Sequence, residues 1–564
     1  MAFWEREEEA IPLTREVRGQ SLRTRRMLSA TGRRYLKYCM AGALTIVLVN
    51  LLLTLHTSLS LTRQQIDRIV YEITPSLEPA DEELVLPPGD QLESGFPGAA
   101  DQIVSLAGKP DEYMSRLFSG YLHLHNGGDA FYFFAESQSA SEANHDPVLL
   151  WLNGGPGASS LSGCFSENGP LLVNEDGRTL KINPSAWNQR ANLLCIESPV
   201  GVGFSFNTAG AYESDDLSQA RDLYDALQRF FDKFPWLRAN NFIISGESYG
   251  GVYVSTTARA IVEGNLKGDE LKINLKTFMV GNGVNEFSGQ SIFPYAYYHG
   301  LLSTQQYMAV RESCPTLQEL HGNPVLENLD LSSVCGRELL RAYTTMFHGY
   351  MATHFTTGKC AGVTQDRVRL AIEELMTMHA NDGRPISNPL ELCVDDAHLN
   401  AYFNLAEVRS ALHVDPKVGQ WSAYTLTAPA KRLHAALFDN TFDPAAVDAV
   451  AGDSRLNYKA SVNAEVTPIW KFLLQNHVRA VIYNGDAALV CDVVGAQWAV
   501  ESLRLSSKTV ARSTWTLDSH VGGYVEVFDG LHFVTVREAG LLSPVTLAAK
   551  AKKRLLDLFV LDWA

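Results

Sequence analysis

The chain has 564 residues, 46% of them hydrophobic, which is enough for a large buried core and more than most single domains hold. A formal charge of −16 excludes the basic face that nucleic-acid binding requires, so no nucleic acid is expected as a partner. The eight cysteines include no Cys-x-x-Cys pair or His/Cys cluster with zinc-like spacing, so neither a metal nor a cofactor is expected.

Arg23, Arg25, Arg26, Arg33, Arg34 and Lys37 precede an apolar run over residues 39–61, broken only by Asn50, His56 and hydroxyl residues. About 20 such residues cross a bilayer. The leader is long for a cleaved signal peptide, so the run is expected to be a signal anchor, with cleavage near Ser58–Leu61 as the alternative. The positive-inside rule then makes residues 1–38 a cytoplasmic tail. The main domain would be lumenal or extracellular, in a single-pass type II protein of the secretory or endolysosomal pathway or the cell surface. Residues 62–98 are acidic and carry Pro75, Pro79, Pro87 and Pro88, the composition of a stalk.

Residues 99–564 read as one folded domain. Tyr121–Leu124 and Phe131–Phe134 flank the turn Asn126-Gly127-Gly128-Asp129, a pattern for paired strands. Val148–Leu152 and Leu193–Ile196 are continuous apolar runs, as buried parallel strands require, and each enters a glycine-bearing loop. A helical period covers 215–234. Further strands are expected at 242–245, 277–280, 480–483 and 531–536, with a closing helix near 545–560. Strands alternating with helices imply an α/β fold whose mostly parallel central sheet carries its site at the strand C-termini. Residues of about 285–430 break this rhythm and read as an inserted helical cap. Cys314, Cys335, Cys360 and Cys393 lie there and suit disulfides in an oxidising compartment. Cys164, Cys195 and Cys491 stand in apolar surroundings that would also suit buried thiols.

Gly246-Glu247-Ser248-Tyr249-Gly250 follows the strand 242–245 and precedes a small-residue helix. Gly-x-Ser-x-Gly between strand and helix is a nucleophile elbow, in which glycines leave room for a tight turn and Ser248 is the candidate nucleophile.

Five motifs in order resemble the serine carboxypeptidases, an α/β-hydrolase family, over roughly residues 98–562. They are Trp151–Gly157, Glu167-Asn168-Gly169-Pro170, Glu197–Phe204, Gly246–Gly251 and Tyr483-Asn484-Gly485-Asp486. The resemblance implies an α/β-hydrolase fold with an inserted cap. It also implies that Ser248 attacks a peptide carbonyl, with the N–H groups of Gly155 and Tyr249 as the oxyanion hole. Asn153, the Gly154 N–H and Glu247 would receive a substrate's terminal carboxylate. Glu167 would pair with Glu247, and since both cannot easily ionise, one would stay protonated and donate to the substrate.

Two positions depart from the family pattern. Its triad acid is the second aspartate of a Gly-Asp-x-Asp segment, where this chain has Gly485-Asp486-Ala487-Ala488. Its histidine lies in an Ala-Gly-His-x-x-Pro loop, where this chain has Ala539-Gly540-Leu541-Leu542-Ser543-Pro544. Ala488 and Leu541 thus stand at the acid and base positions. His532 and His520 are poorly placed substitutes, and His413 belongs to a helical segment. The expectation is a membrane-anchored serine carboxypeptidase-like protein with lost or strongly impaired hydrolysis, binding peptide or protein C-termini. The alternative is an active acid-pH carboxypeptidase in which Ser248 uses another base, such as His532 with Asp486 or Asp529.

Overall fold

A computed structural model describes residues 96–139, 143–268, 271–315, 333–347, 355, 396–425, 456–462, 464–506, 512–541 and 546–561. The expected tail and anchor, nearly all of the stalk, much of the cap, and Cys360 and Cys393 lie outside the described residues. Among the described residues no helix is long and apolar enough to cross a membrane.

Ten strands form the backbone of the main sheet: β1 Leu117–His123, β2 Gly128–Ala135, β3 Val148–Leu152, β4 Asn192–Ile196, β5 Phe242–Ser248, β6 Leu275–Gly283, β7 Arg479–Gly485, β8 Ser513–Leu517, β9 His520–Val527 and β10 Leu531–Val536. Their spatial order is β1-β2-β4-β3-β5-β6-β7-β10-β9-β8, and the short strand Phe206–Asn207 adds to β2. The run β4-β3-β5-β6-β7-β10 is parallel. Antiparallel pairs close both ends, with the hairpin β1–β2 at one and β9–β8 at the other. The hairpin registers Leu122 against Ala130, as its Asn-Gly-Gly-Asp turn implies. Strands β8 and β9 were not legible as strands in the sequence, because glycines at 522 and 523 and exposed polar positions interrupt their alternation.

Helices cover both faces, and strand side chains divide between them with period two. Leu150, Leu152, Ile244, Val280 and Ile482 pack toward α2 (Asp216–Lys233), α3 (Gly250–Lys267), α4 (Thr467–Gln475) and α5 (Val493–Ser502). Leu149, Trp151, Ile243, Met279 and Val481 pack on the other side, toward α1 (Ser160–Ser166), Ala397–Phe403 and α6 (Thr546–Leu556). Burial on both faces is why these strands read as unbroken apolar runs. Helix α2 starts where Asp215 accepts from the Leu217 and Ser218 N–H groups, both at 2.8 Å, while Ser218 returns a bond to the Asp215 N–H. Helix α3 ends at Gly268, whose φ of 73° is a left-handed cap.

Within the expected cap, helices lie at Ser288–Tyr298, Thr304–Ser313, Val334–Met346, Ala397–Phe403 and Ala406–Ala411. Disulfides join Cys314 to Cys335 and Cys164 to Cys195, which settles the second pair as a bridge. Both bridges fit a lumenal or extracellular domain.

At the first edge of the sheet, Phe234 sits among Phe96, Phe118, Tyr132, Phe134, Phe230 and Trp236, with ring centroids 4.8 to 6.2 Å away. Phe234→Ala is expected to lower stability by about 3–5 kcal/mol through the cavity left between α2 and the hairpin, measured by urea unfolding. A loss below about 1 kcal/mol would mean the site collapses freely.

Candidate active site

The parallel strands end in loops along one edge, and the elbow sits at its centre. Ser248 closes β5 with φ 57°, a left-handed conformation that costs a non-glycine residue energy and aims it out of the turn. The Ser248 carbonyl accepts from the Val284 N–H at 3.0 Å, which ties the elbow to the end of β6. Glycines are required because β3 runs so close. A Cβ on Gly246 or Gly250 would stand 2.6 Å from the Leu152 carbonyl oxygen. One on Gly154 would stand 2.4 Å from the Tyr249 nitrogen. Gly155, with φ 112°, follows in the same loop, so the two expected oxyanion donors belong to loops packed on each other.

Buried Glu197 anchors that loop. Its carboxyl accepts from the Ser159 hydroxyl, from Trp421 Nε1 at 2.8 Å and from the Phe204 N–H at 2.5 Å. Burial pushes its pKa up to about 7. Ser159 also caps the helix Ser160–Ser166, so the motif Glu197–Phe204 acts as a clamp between the loop and residues 421–425.

The loop carrying Ala488 follows β7. Asn282 Nδ2 donates to the carbonyls of Gly485 and Cys491, and Asn484 Nδ2 donates to Cys491 as well. The Ala487 N–H reaches the Ala539 carbonyl at 2.9 Å, joining this loop to the one that carries Leu541. Ala488 and Leu541 are both buried and share one apolar cluster with Leu489, Val490, Ile292 and Tyr295. The two positions that the resemblance assigns to acid and base therefore share one apolar cluster, filled by side chains that transfer no proton.

Neighbouring carboxylates are engaged elsewhere. Asp486 Oδ1 accepts from the Glu538 N–H at 2.7 Å. Asp492 caps α5 through the Val494 and Gly495 N–H groups and takes the Ser291 hydroxyl at 2.6 Å. Burial pushes its pKa up to about 6.

The alternative bases are placed as follows. His532 pairs in register with Val481, Val481 with Met279 and Met279 with Ser245. Three strand spacings of about 4.8 Å separate His532 from β5, about 14 Å across the sheet and well outside proton-transfer reach of Ser248. His520 is exposed and opens β9, farther out still. His413 follows the helix Ala406–Ala411, and its Nδ1 lies 2.9 Å from the Ser119 carbonyl.

The carboxylate-binding set holds a residue that the sequence reading missed. Asn153 Nδ2 donates to Glu247 Oε1 at 3.0 Å, while Asn153 Oδ1 accepts from Trp151 Nε1 at 2.8 Å and the Gly163 N–H at 3.1 Å. Lys552 of α6 places its Nζ 2.9 Å from Glu167 Oε2, 3.5 Å from Glu247 Oε2 and 3.4 Å from the Leu541 carbonyl oxygen. The expected two-carboxyl pair is thus a three-residue ion cluster. All members are buried, with Glu247 1%, Lys552 6% and Glu167 7% exposed. Burial and the neighbouring Glu167 raise the pKa of Glu247. Burial alone would lower the pKa of Lys552, but Glu167 and Glu247 together outweigh it and leave it raised. A sequence signal existed, since Lys552 falls between Ala551 and Leu555 on the apolar stripe of its helix.

Lys552 stays charged at acidic and neutral pH, whereas the raised pKa of Glu247 gives a contribution that favours folding at low pH and fades as pH rises. Removing the cation worsens that fade. Lys552→Ala is expected to cost about 3–5 kcal/mol at pH 7 and distinctly less at pH 4, where the raised pKa of Glu247 favours its neutral form. Urea unfolding at the two pH values checks this, and equal losses would contradict a charge-based role.

A family model described as serine carboxypeptidase matches residues 108–560. The lysosomal protective protein of Mus musculus is 30% identical over 466 residues, covering 79% of this chain and 90% of its own. Serine carboxypeptidase-like 22 of Arabidopsis thaliana is 32% identical over 449 residues, covering 78% and 88%. The solved structure of Kex1ΔP, a prohormone-processing carboxypeptidase from Saccharomyces cerevisiae, superposes with a TM-score of 0.61 at 21% identity, covering 82% of this chain and 96% of that one. The fold is that of the α/β-hydrolases.

Proposed function

The chain belongs to the serine carboxypeptidase family, and from that premise we propose that it has lost carboxypeptidase hydrolysis while keeping the fold and the walls of the site. The observation that carries this reading is the shared apolar cluster of Ala488 and Leu541 where acid and base would stand. A serine hydroxyl needs a base to surrender its proton and an acid to orient that base. With both gone, the expected loss is about 10⁴- to 10⁶-fold, leaving what the oxyanion donors and binding supply.

The two replacements support one another physically. A lone aspartate or a lone histidine in this cluster would be a buried polar group without its partner, which is costly. Replacing both by apolar side chains removes that cost. What remains is a binding scaffold with an intact elbow and a cluster at Asn153, Glu167 and Glu247. Its partner on this reading is the C-terminal end of a peptide or protein, met in the lumen or outside the cell, with membrane attachment through residues 39–61.

Restoration tests the reading. Ala488→Asp alone is expected to destabilise by about 2–4 kcal/mol, and Ala488→Asp with Leu541→His by less, because the pair satisfies itself. Only the double variant should release C-terminal residues from peptides, followed by mass spectrometry. Release by the parent chain at a family-like rate, abolished in Ser248→Ala, would overturn the proposal in favour of an active carboxypeptidase with another base.

A further inference from the structure

Lys552 brings a cation to the place where the resemblance puts a peptide's terminal carboxylate. Its Nζ lies 2.9 Å from Glu167 Oε2 and 3.5 Å from Glu247 Oε2. The titratable groups that face it among the described residues are Glu167 at the end of α1, Glu247 of β5 and Tyr483 of β7. Two carboxyls alone would meet an incoming carboxylate with negative charge, relieved only by protons taken up with the ligand, and such a site binds best in acid. With the ammonium beside them, every protonation state of the pair carries one unit less negative charge. Salt and water screen that difference poorly in a buried site. Donors that do not titrate between acidic and neutral pH complete the subsite. Asn153 Nδ2 gives one of its two hydrogens to Glu247 Oε1 at 3.0 Å, and among the described residues the other is not taken. The Tyr483 hydroxyl is buried and makes no hydrogen bond among the described residues. Gly281 of β6 stands in register between Glu247 and Tyr483. A Cβ on Gly281 would lie 2.3 Å from Tyr483 Oη, so the hydroxyl reaches over β6 toward Glu247. Burial raises the pKa of Tyr483, which keeps its hydrogen for an acceptor.

We propose that Lys552 and the Tyr483 hydroxyl let this subsite hold a free C-terminal carboxylate as firmly at neutral pH as at acidic pH. A terminal carboxylate, with an ordinary pKa of about 3.5, is ionised across that range. Its oxygens accept from Asn153 Nδ2, from Tyr483 Oη and from the Gly154 N–H that the resemblance assigns to substrate. Lys552 acts by its charge and by holding Glu167 and Glu247, and is a positioning residue. This property rests on the reading of the chain as a non-hydrolytic binder of peptide ends, and it sets the pH range over which such an end is held. Binding is then not confined to an acidic compartment.

The experiment is a fluorescence-anisotropy titration of the full-length chain at pH 5 and pH 7. The probe is rhodamine-labelled Ala-Ala-Phe-Leu as the free acid, with its C-terminal amide as the control. The parent should bind the acid more tightly than the amide at both pH values, with its Kd for the acid changing less than about threefold between them. Lys552→Met should bind the acid about tenfold more weakly than the parent at pH 7 and recover much of that loss at pH 5, while Lys552→Arg keeps the flat profile. Tyr483→Phe should weaken the acid by about threefold or more at both pH values alike. A tenfold or greater weakening of the parent's acid binding from pH 5 to pH 7 would overturn the proposal, and that profile decides the matter even if Lys552→Met does not fold. So would acid binding left unchanged by Lys552→Met at pH 7 or by Tyr483→Phe. No binding of either probe at either pH would overturn the peptide-end reading and this proposal with it. Free leucine released from the acid probe would refute the non-hydrolytic reading alone, and the pH profile is then read in Ser248→Ala.

Discussion

The turn at Ser248 is the constraint on which the site depends. A left-handed serine at the end of β5 is held only because β3 presses against it, with Gly154, Gly246 and Gly250 giving the clearance that any Cβ would destroy. That contact fixes the loop 153–157 against the start of α3, and the Val284 N–H fixes the elbow to β6. On the proposed reading the strain is retained although the catalytic partners are not. Removing it would require rebuilding the crossing of two central strands, so the elbow persists as a requirement of the fold.

Around that fixed point, buried groups come in matched sets. Ala488 and Leu541, at the positions the resemblance assigns to acid and base, are apolar together and lie in one buried cluster. The two glutamates beside the elbow share a lysine, which gives buried Glu167 a cation and ties α6 to Glu247. Both arrangements follow one rule: a buried polar group stays only with its partner, and a buried charge only with its opposite. The Leu541 loop links them, since its side chain stands at the position the resemblance assigns to the base and its carbonyl accepts from Lys552.

The sheet was legible because its central strands are buried on both faces, so Val148–Leu152, Phe242–Ile244 and Ala480–Tyr483 are apolar without interruption. The outer strands β8 and β9 were not, because their exposed edge residues hide the alternation. Motif order located the elbow and the loop 153–157, whose glycines have steric reasons visible in the structure. The pairing of Cys164 with Cys195 stayed open, since apolar surroundings suit a thiol and a bridge equally. Lys552 was hidden for a different reason. A lysine in a helix of lysines and arginines reads as solvent-facing; its place beside Ala551 and Leu555 hints at burial, but tertiary packing is what brings it to two carboxyls 385 and 305 residues away in sequence.

The most direct measurement is the reactivity of the Ser248 hydroxyl itself. An organic fluorophosphonate reacts rapidly only with a serine whose proton is being removed by a neighbouring base. The parent protein, incubated with such a reagent and examined by intact-mass and peptide mass spectrometry, should show no more adduct than Ser248→Ala. A stoichiometric adduct at Ser248, formed rapidly near neutral or mildly acidic pH, would mean that a base is present and that the serine still works.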